Sequence, residues 1–256
     1  MEFSVLSISA LVLYFAFFFA GIMDAVCGGG GLLTMPAFLS IGFPVHFISG
    51  TNQCSASLGA ITALLRFIRG GKIHWNSAFA AAIAAIGGAV LGAKINLFMP
   101  DEYLEKIMIV LLPIIAVIIL VKRNFGAESH MEELSRLRLI GNAVGIGVVI
   151  GAYQGFYAAG AGTFYLLAFA LLNKMDLVTA SGNTKLVVVF ANLSACITYA
   201  ISGMVIWRIV IVASVFNIVG NYIGASLAVT KGAKIIRPMF FFCLALLFIQ
   251  LMTNLF

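Results

Sequence analysis

The pentapeptide Ser-Gly-Thr-Asn-Gln at residues 49–53 returns as Ser-Gly-Asn-Thr-Lys at residues 181–185, an offset of 132 positions. Holding that offset places Gly71 on Gly203 and Trp75 on Trp207, the two tryptophans of the chain. It also places the pair Gly88 and Gly92 on Gly220 and Gly224. Each pair is a GxxxG, a spacing that lets one helix approach another closely. Upstream the offset becomes 130, so that Gly21 matches Gly151, Asp24 matches Gln154 and Gly30 matches Gly160. The chain is written twice, and the repeat decides how the rest is read.

The composition says what solvent the two copies occupy. Of 256 residues, 62% are hydrophobic and 9% charged, against roughly half and a quarter for a soluble domain. Residues 5–23, 107–121 and 239–252 contain no charged side chain, and with their flanks they reach membrane-spanning length. The expected fold class is therefore an all-α polytopic membrane protein. The first run has no basic residue before it and is too long for a signal h-region, so it reads as a retained helix. The net charge of +6 reads as cytoplasmic-loop lysine and arginine rather than as a nucleic-acid surface. Cys27, Cys54, Cys196 and Cys243 stand singly in apolar surroundings and read as small core fillers.

Each copy divides into five hydrophobic pieces, at residues 4–26, 31–41, 46–68, 75–98 and 103–121, then 138–158, 162–172, 178–201, 207–229 and 235–255. The second piece of each copy rises only about 16 Å at ~1.5 Å per residue, half of a ~30 Å hydrocarbon core. These pieces give a first transmembrane repeat at 1–122, a cytoplasmic linker at 123–137 and a second repeat at 138–256. Basic residues gather at 66–72, 122–138 and 231–237, while the matching segment of the other copy is poor in them or acidic, as at Asp101 and Glu102. Equivalent loops on opposite sides mean inverted topology, an odd number of crossings per copy, and both termini outside. Inverted repeats with short or glycine-interrupted helices at matching positions are a transporter signature, with the site at the repeat interface.

The glycine run at 28–31 and its counterpart around Gly160 and Gly162 read as breaks in membrane helices. Backbone of that kind is tolerated where it is buried in protein or lines a cavity, and close helix packing is the alternative reason for small residues there. A break at Gly30 and Gly31 opens a new helix N-terminus whose free N–H groups and dipole attract anions. Thr51, Asn52 and Gln53 in one copy, with Asn183, Thr184 and Lys185 in the other, lie several residues into the third piece and carry groups that can donate to an oxyanion. Lys185 sits about 12 Å into its piece, a depth at which a cation needs a partner. That partner is an anionic substrate or Asp24. Asp24 has three open roles: proton carrier, partner of Lys185, or cap for the broken backbone. Lys94 lies at a helix end and reads as snorkelling to the interface. No phosphate loop, no HExxH and no Ser/His/Asp arrangement is found, so no catalytic residue, metal or cofactor is expected.

The pattern GxxDxxxGGGGLLTxPxxxxxGxPxxxxxGTN, with GxGTFYLLAF and SGNTK in the second half, resembles the sulfite exporter TauE/SafE family of membrane permeases. The likeness runs from Gly21 to about Gly224. It implies a multi-pass protein of the bacterial or archaeal inner membrane that moves sulfite, sulfoacetate or a related organosulfur anion by secondary transport. Gln53 stands where many members carry lysine, and Gln154 where some carry an acid. Both departures lower the charge at the expected site, which suits a monoanion better than a dianion.

The resulting expectation is a secondary transporter of a small anion working by alternating access between the repeats, with no enzymatic activity. An anion channel without coupling is the alternative. The transporter's partners would be the anion, the lipid bilayer and protons through Asp24, with a second copy of the chain left open because the GxxxG pairs can serve contacts within or between protomers; nucleic acid is not among them.

Overall fold

The computed structural model describes residues 8–100, 103 and 128–255, and the regular elements among these are all helical. In the first copy α1 spans Ile8–Cys27, α2 Gly31–Leu39, α3 Val45–Arg69 and α4 Trp75–Phe98. After a short turn at Met131–Glu133 come α5 at Arg136–Phe156, α6 at Ala161–Leu172, α7 at Leu177–Ile201, α8 at Trp207–Lys231 and α9 at Ala233–Leu255. The order long, short, long, long thus occurs twice, with lengths of 20, 9, 25 and 24 residues and then 21, 12, 25 and 25. The first copy's fifth piece, expected at 103–121, lies outside the described residues beyond Tyr103, as do Asp101, Glu102, Lys122 and Arg123. Among the described residues, five helices are long and apolar enough to cross a membrane: α1, α4, α5, α7 and α8. α3 has the same length but buries a row of polar side chains, Ser49, Thr51, Asn52, Gln53, Ser55 and Ser57.

Two boundaries differ from the sequence expectation. The basic stretches are mostly helix rather than loop. Arg66 and Arg69 occupy the last turn of α3, and Lys231 that of α8, where positive charge complements the helix dipole. Only Gly232, at φ +56°, separates α8 from α9, so Lys234 and Arg237 lie inside α9. The polar linker also ends early, because Ser135 caps α5 by accepting a hydrogen bond from Arg138 N at 3.3 Å. The turn before it is tied down by His130 N donating to Lys174 O (2.9 Å) and by a Lys174–Glu133 ion pair at 2.5 Å. The hydrogen bond from Lys174 holds the Glu133 carboxyl below its ordinary value.

The copies pack by exchanging partners. α1 lies against α8, and its counterpart α5 lies against α4. α3 packs on α8 and α7 on α4, while α3 and α7 meet each other between the two pairs. The close crossings repeat residue for residue. A Cβ on Gly88 would fall 2.5 Å from Val148 O, and one on Gly92 1.9 Å from Ala152 O. A Cβ on Gly220 would fall 2.1 Å from Phe18 O, and one on Gly224 2.4 Å from Ile22 O. Phe18 and Ile22 correspond to Val148 and Ala152 at the same 130-residue offset that the upstream sequence shows. Each GxxxG therefore serves a contact within the protomer, between one copy and the other.

Two of the four cysteines are more than fillers. Cys54 on α3 and Cys196 on α7 form a disulfide, with Cα atoms 4.9 Å apart and a sequence separation of 142. Cys27 and Cys243 are free and buried, their sulfurs 2.9 Å apart. A sequence separation of this size hides the pairing from any reading by spacing.

Two outcomes test this packing. Gly92→Ala should destabilise the detergent-solubilised protein by about 1–3 kcal/mol through overpacking. Gly87→Ala, where a Cβ meets nothing within 4 Å, should instead stabilise it by about 0.5–1 kcal/mol through helix propensity. Thermal unfolding of the two variants reads the opposite signs. For the disulfide, protein denatured without reductant should take an alkylating label at Cys27 and Cys243 alone. After reduction all four cysteines should carry it, as mass spectrometry would show.

Candidate functional site

α1 stops at Cys27, in the interior of the helix bundle, and the carbonyls of its last turn need donors. Gly28 N, at φ +80°, returns to Asp24 O at 2.8 Å. The remaining donors come from the second copy. Ser181 Oγ donates to Val26 O (3.0 Å), Thr163 Oγ1 to Cys27 O (2.9 Å), and the Lys185 ammonium to Asp24 O. Lys185 Nζ also lies 3.2 Å from Asp24 Oδ2. The lysine side chain is 0% exposed and the aspartate 17%, so Lys185 does not snorkel to a surface. A cation at a helix C-terminus is favoured by the dipole, and the aspartate balances its charge.

The second break repeats this scheme without charge. α5 ends at Phe156, and Ala158 takes the left-handed conformation that Gly28 takes in the first copy, at φ +68°. Gln53 Nε2 donates to Gln154 O at 2.5 Å, Tyr199 OH to Gly155 O (2.9 Å) and Asn96 Nδ2 to Phe156 O (2.8 Å). Gln53 corresponds to Lys185, and Gln154 to Asp24. Equivalent positions therefore make the same long-range contact, charged in one copy and neutral in the other. The two breaks also touch. A Cβ on Gly28 would fall 2.1 Å from Gly162 C, and one on Gly31 2.7 Å from Ala159 Cα. Broken helix and close packing are the same feature here.

Thr51 and Asn183 form a third reciprocal pair. Ile206 N, just before α8, donates to Thr51 Oγ1 at 3.0 Å, and His74 N, just before α4, donates to Asn183 Oδ1 at 2.9 Å. Each third helix thus holds the start of the other copy's fourth helix. Asn183 Nδ2 is engaged by Ser77 Oγ at 3.0 Å, and Thr184 Oγ1 bonds back to Ala180 O at 2.8 Å.

A cavity of about 30 Å³, room for a water or two, lies between the copies where the breaks meet. Asp24, Gly30, Gly31, Asn52, Gln53 and Gly162 line it, six of the residues picked out by sequence. Gly160 adjoins it as the N-cap of α6, at φ +75°. Thr51, Asn183, Thr184 and Lys185 do not line it; Thr51 and Asn183 tie the third helices to their neighbours, Thr184 bonds within its own helix, and Lys185 backs Asp24. The wall adds Thr34, Gln154, Asn192 and Asn217, and Gln154 Nε2 donates to Asn192 Oδ1. The signal for these three amides was present in the sequence, since an amide inside an apolar span is costly unless it is used. Asp24 is the ionisable side chain on the wall. Neither α2 nor α6 has a side-chain cap at its N-terminus, and both N-termini open on this cavity. Such an arrangement can offer backbone N–H groups and amides to an anion, with a carboxyl group beside it.

Comparison with known proteins agrees with this architecture. The family model described as Sulfite exporter TauE/SafE matches residues 13–251. The chain is 31% identical over 242 residues to "Probable membrane transporter protein ORF9" of Sinorhizobium sp, covering 94% of this chain and 92% of that one. It is 31% identical over 228 residues to "Probable membrane transporter protein YfcA" of Escherichia coli (strain K12), covering 89% and 84%. It is likewise 31% identical to a "Probable membrane transporter protein" of Haemophilus influenzae, covering 89% and 88%. No solved structure matches the chain. The chain belongs to the sulfite exporter TauE/SafE family of membrane transporters.

The ion pair behind the cavity is open to a direct test. Lys185→Met leaves the half-buried Asp24 with no counter-charge and should destabilise the protein by about 1–3 kcal/mol. Adding Asp24→Asn to that variant should recover a large part of the loss. Chemical unfolding in detergent measures both, and equal losses in the single and double variants would show that the pair does not interact.

Proposed function

We propose, with membership of this transporter family as the premise, that the protein carries sulfite or a small organosulfonate across the bacterial or archaeal inner membrane by alternating access between its two copies. The observation that carries the reading is the convergence of two uncapped helix N-termini and the Asn52 amide on one cavity at the interface of the repeats. Once the copies move apart and widen the cavity, which at about 30 Å³ admits only water, backbone N–H groups beside Gly30, Gly31 and Gly162 hold the oxyanion, supported by the positive dipole ends of α2 and α6. Thr51 and Asn183 act as positioning residues, because they fix α3 and α7, which carry the amides.

Asp24 and Lys185 couple protons to this site. With Asp24 ionised, the pair is neutral and a carboxylate oxygen faces the anion's position. A proton on Asp24 removes that repulsion and leaves the Lys185 charge uncompensated close behind the cavity. Anion and proton then favour each other's binding, by the reciprocity that any linkage obeys. The copies, in inverted orientation, present this site to either side, and the gradients decide the direction of net flow.

The test uses purified protein in proteoliposomes. A pH gradient should drive accumulation of labelled sulfite or sulfoacetate, and preloaded vesicles should show counterflow. Asp24→Asn should lose the pH-driven accumulation by about tenfold or more while keeping counterflow. Flux that dissipates an anion gradient with neither counterflow nor accumulation would establish the channel instead, and absence of any flux of these anions would overturn the substrate assignment.

A further inference from the structure

Three polar atoms of the cavity wall stand without a partner, the amide oxygens of Gln53 and Gln154 and the Thr34 hydroxyl. Gln53 and Gln154 are 1% and 2% exposed, both line the cavity, and Oε1 of each has no partner. The orientation of the Gln53 amide is set by its other end. Its Nε2 donates to a backbone carbonyl, which can only accept, and that leaves the oxygen as the unmet atom. The Gln154 nitrogen is engaged by Asn192 Oδ1. Beside them stands Asp24, whose ionised carboxylate only accepts and whose Oδ2 alone is held by Lys185. The N-termini of α2 and α6, which line the same cavity, offer N–H donors. The site therefore presents both N–H groups and orphaned oxygens to what it binds.

A buried acceptor left without a donor costs about 1–3 kcal/mol. A fully deprotonated dianion has acceptors only. It would satisfy the N–H side, leave both glutamine oxygens unmet and set a second charge against Asp24. A bare monoanion, such as an alkylsulfonate, leaves the same two oxygens unmet. An anion that retains an O–H or N–H group accepts from the N–H donors and gives its hydrogen to one of the two glutamine oxygens at the same time.

We propose that the transported species is a monoanion bringing its own hydrogen-bond donor, hydrogensulfite rather than sulfite and a hydroxyl-bearing sulfonate rather than a plain one, with Gln53 and Gln154 as the residues that select it. This deepens the reading of the cavity as an anion site and rests on it. Sulfur oxyanions and hydroxysulfonates share the chemistry that the two amide oxygens recognise, namely a single negative charge with an acidic or alcoholic hydrogen.

The experiment compares two sulfonates that differ by one hydroxyl, isethionate and ethanesulfonate, bound to the purified wild-type protein and read by calorimetry. Isethionate should bind about tenfold or more tightly, the ratio that one buried hydrogen bond supplies. In Gln154→Met the ratio should fall toward one, through weaker isethionate binding and stronger ethanesulfonate binding. Gln53→Met gives the same reading if the first variant does not fold. Equal binding of the two by the wild-type protein would overturn the inference while leaving the anion site standing. Binding of neither, nor of sulfite, would overturn the anion site itself.

Discussion

A helix that stops among other helices, away from water, leaves its last carbonyls with nothing to accept from, and the rest of this protein is arranged around meeting that demand. A hydrogen bond that is present contributes only about 1 kcal/mol net, but a backbone group left bare in an apolar medium costs several times more. α1 and α5 both stop at a break, and the other copy supplies most of the donors their last turns require. Ser181, Thr163 and Lys185 serve α1, while Gln53 and Asn96 serve α5. Neither copy completes its own broken helix. The two halves are coupled through backbone groups at the place where the cavity forms.

The same requirement accounts for both the likeness and the difference between the copies. Position 51 is threonine and position 183 asparagine, yet each accepts from the N–H preceding the other copy's fourth helix. Chemistry is conserved across the repeat where geometry needs an acceptor, and residue identity is free to vary. Positions 53 and 185 show the reverse. Both donate to the carbonyl of the matching residue on the opposing first helix, but one is an amide and the other an ammonium. The ammonium is what obliges an acid at Asp24, because a lone buried cation is far costlier than a pair. Charge at the site is confined to one copy, and a neutral amide network fills the other.

Much of the architecture was legible in the sequence. The pentapeptide repeat, the tryptophans and the GxxxG pairs marked two copies, and the helix ends fall close to the expected positions. The glycine breaks were visible because four consecutive glycines weaken any apolar helix. Half of the candidate site was visible as well, in Asp24, Gly30, Gly31, Asn52, Gln53 and Gly162. The expected residues and the cavity lining part over which face of α3 and α7 meets the cavity. Thr51, Asn52 and Gln53 are consecutive, and consecutive residues on a helix point about 100° apart, so a triplet cannot all face one space. Asn52 and Gln53 reach the cavity while Thr51 turns to α8. On α7 the matching triplet turns away from the cavity altogether, and Asn192, two turns further on, takes its place.

The sequence by itself determined what is local or periodic: apolar length, the breaks, the small residues at crossings and the existence of a duplicated unit. These properties follow from the chain's own solvent and backbone demands, and each is written within a few residues. Partnership was decided only by the tertiary structure. The Lys185–Asp24 pair, the Cys54–Cys196 disulfide and the Gln53–Gln154 contact join residues 161, 142 and 101 positions apart, and the Asn96 cap lies 60 positions from Phe156. A sequence shows that a buried lysine or glutamine must have a partner, because the penalty for lacking one is set by its chemistry. Which partner it has depends on where other helices cross, and that is settled by packing across the whole bundle.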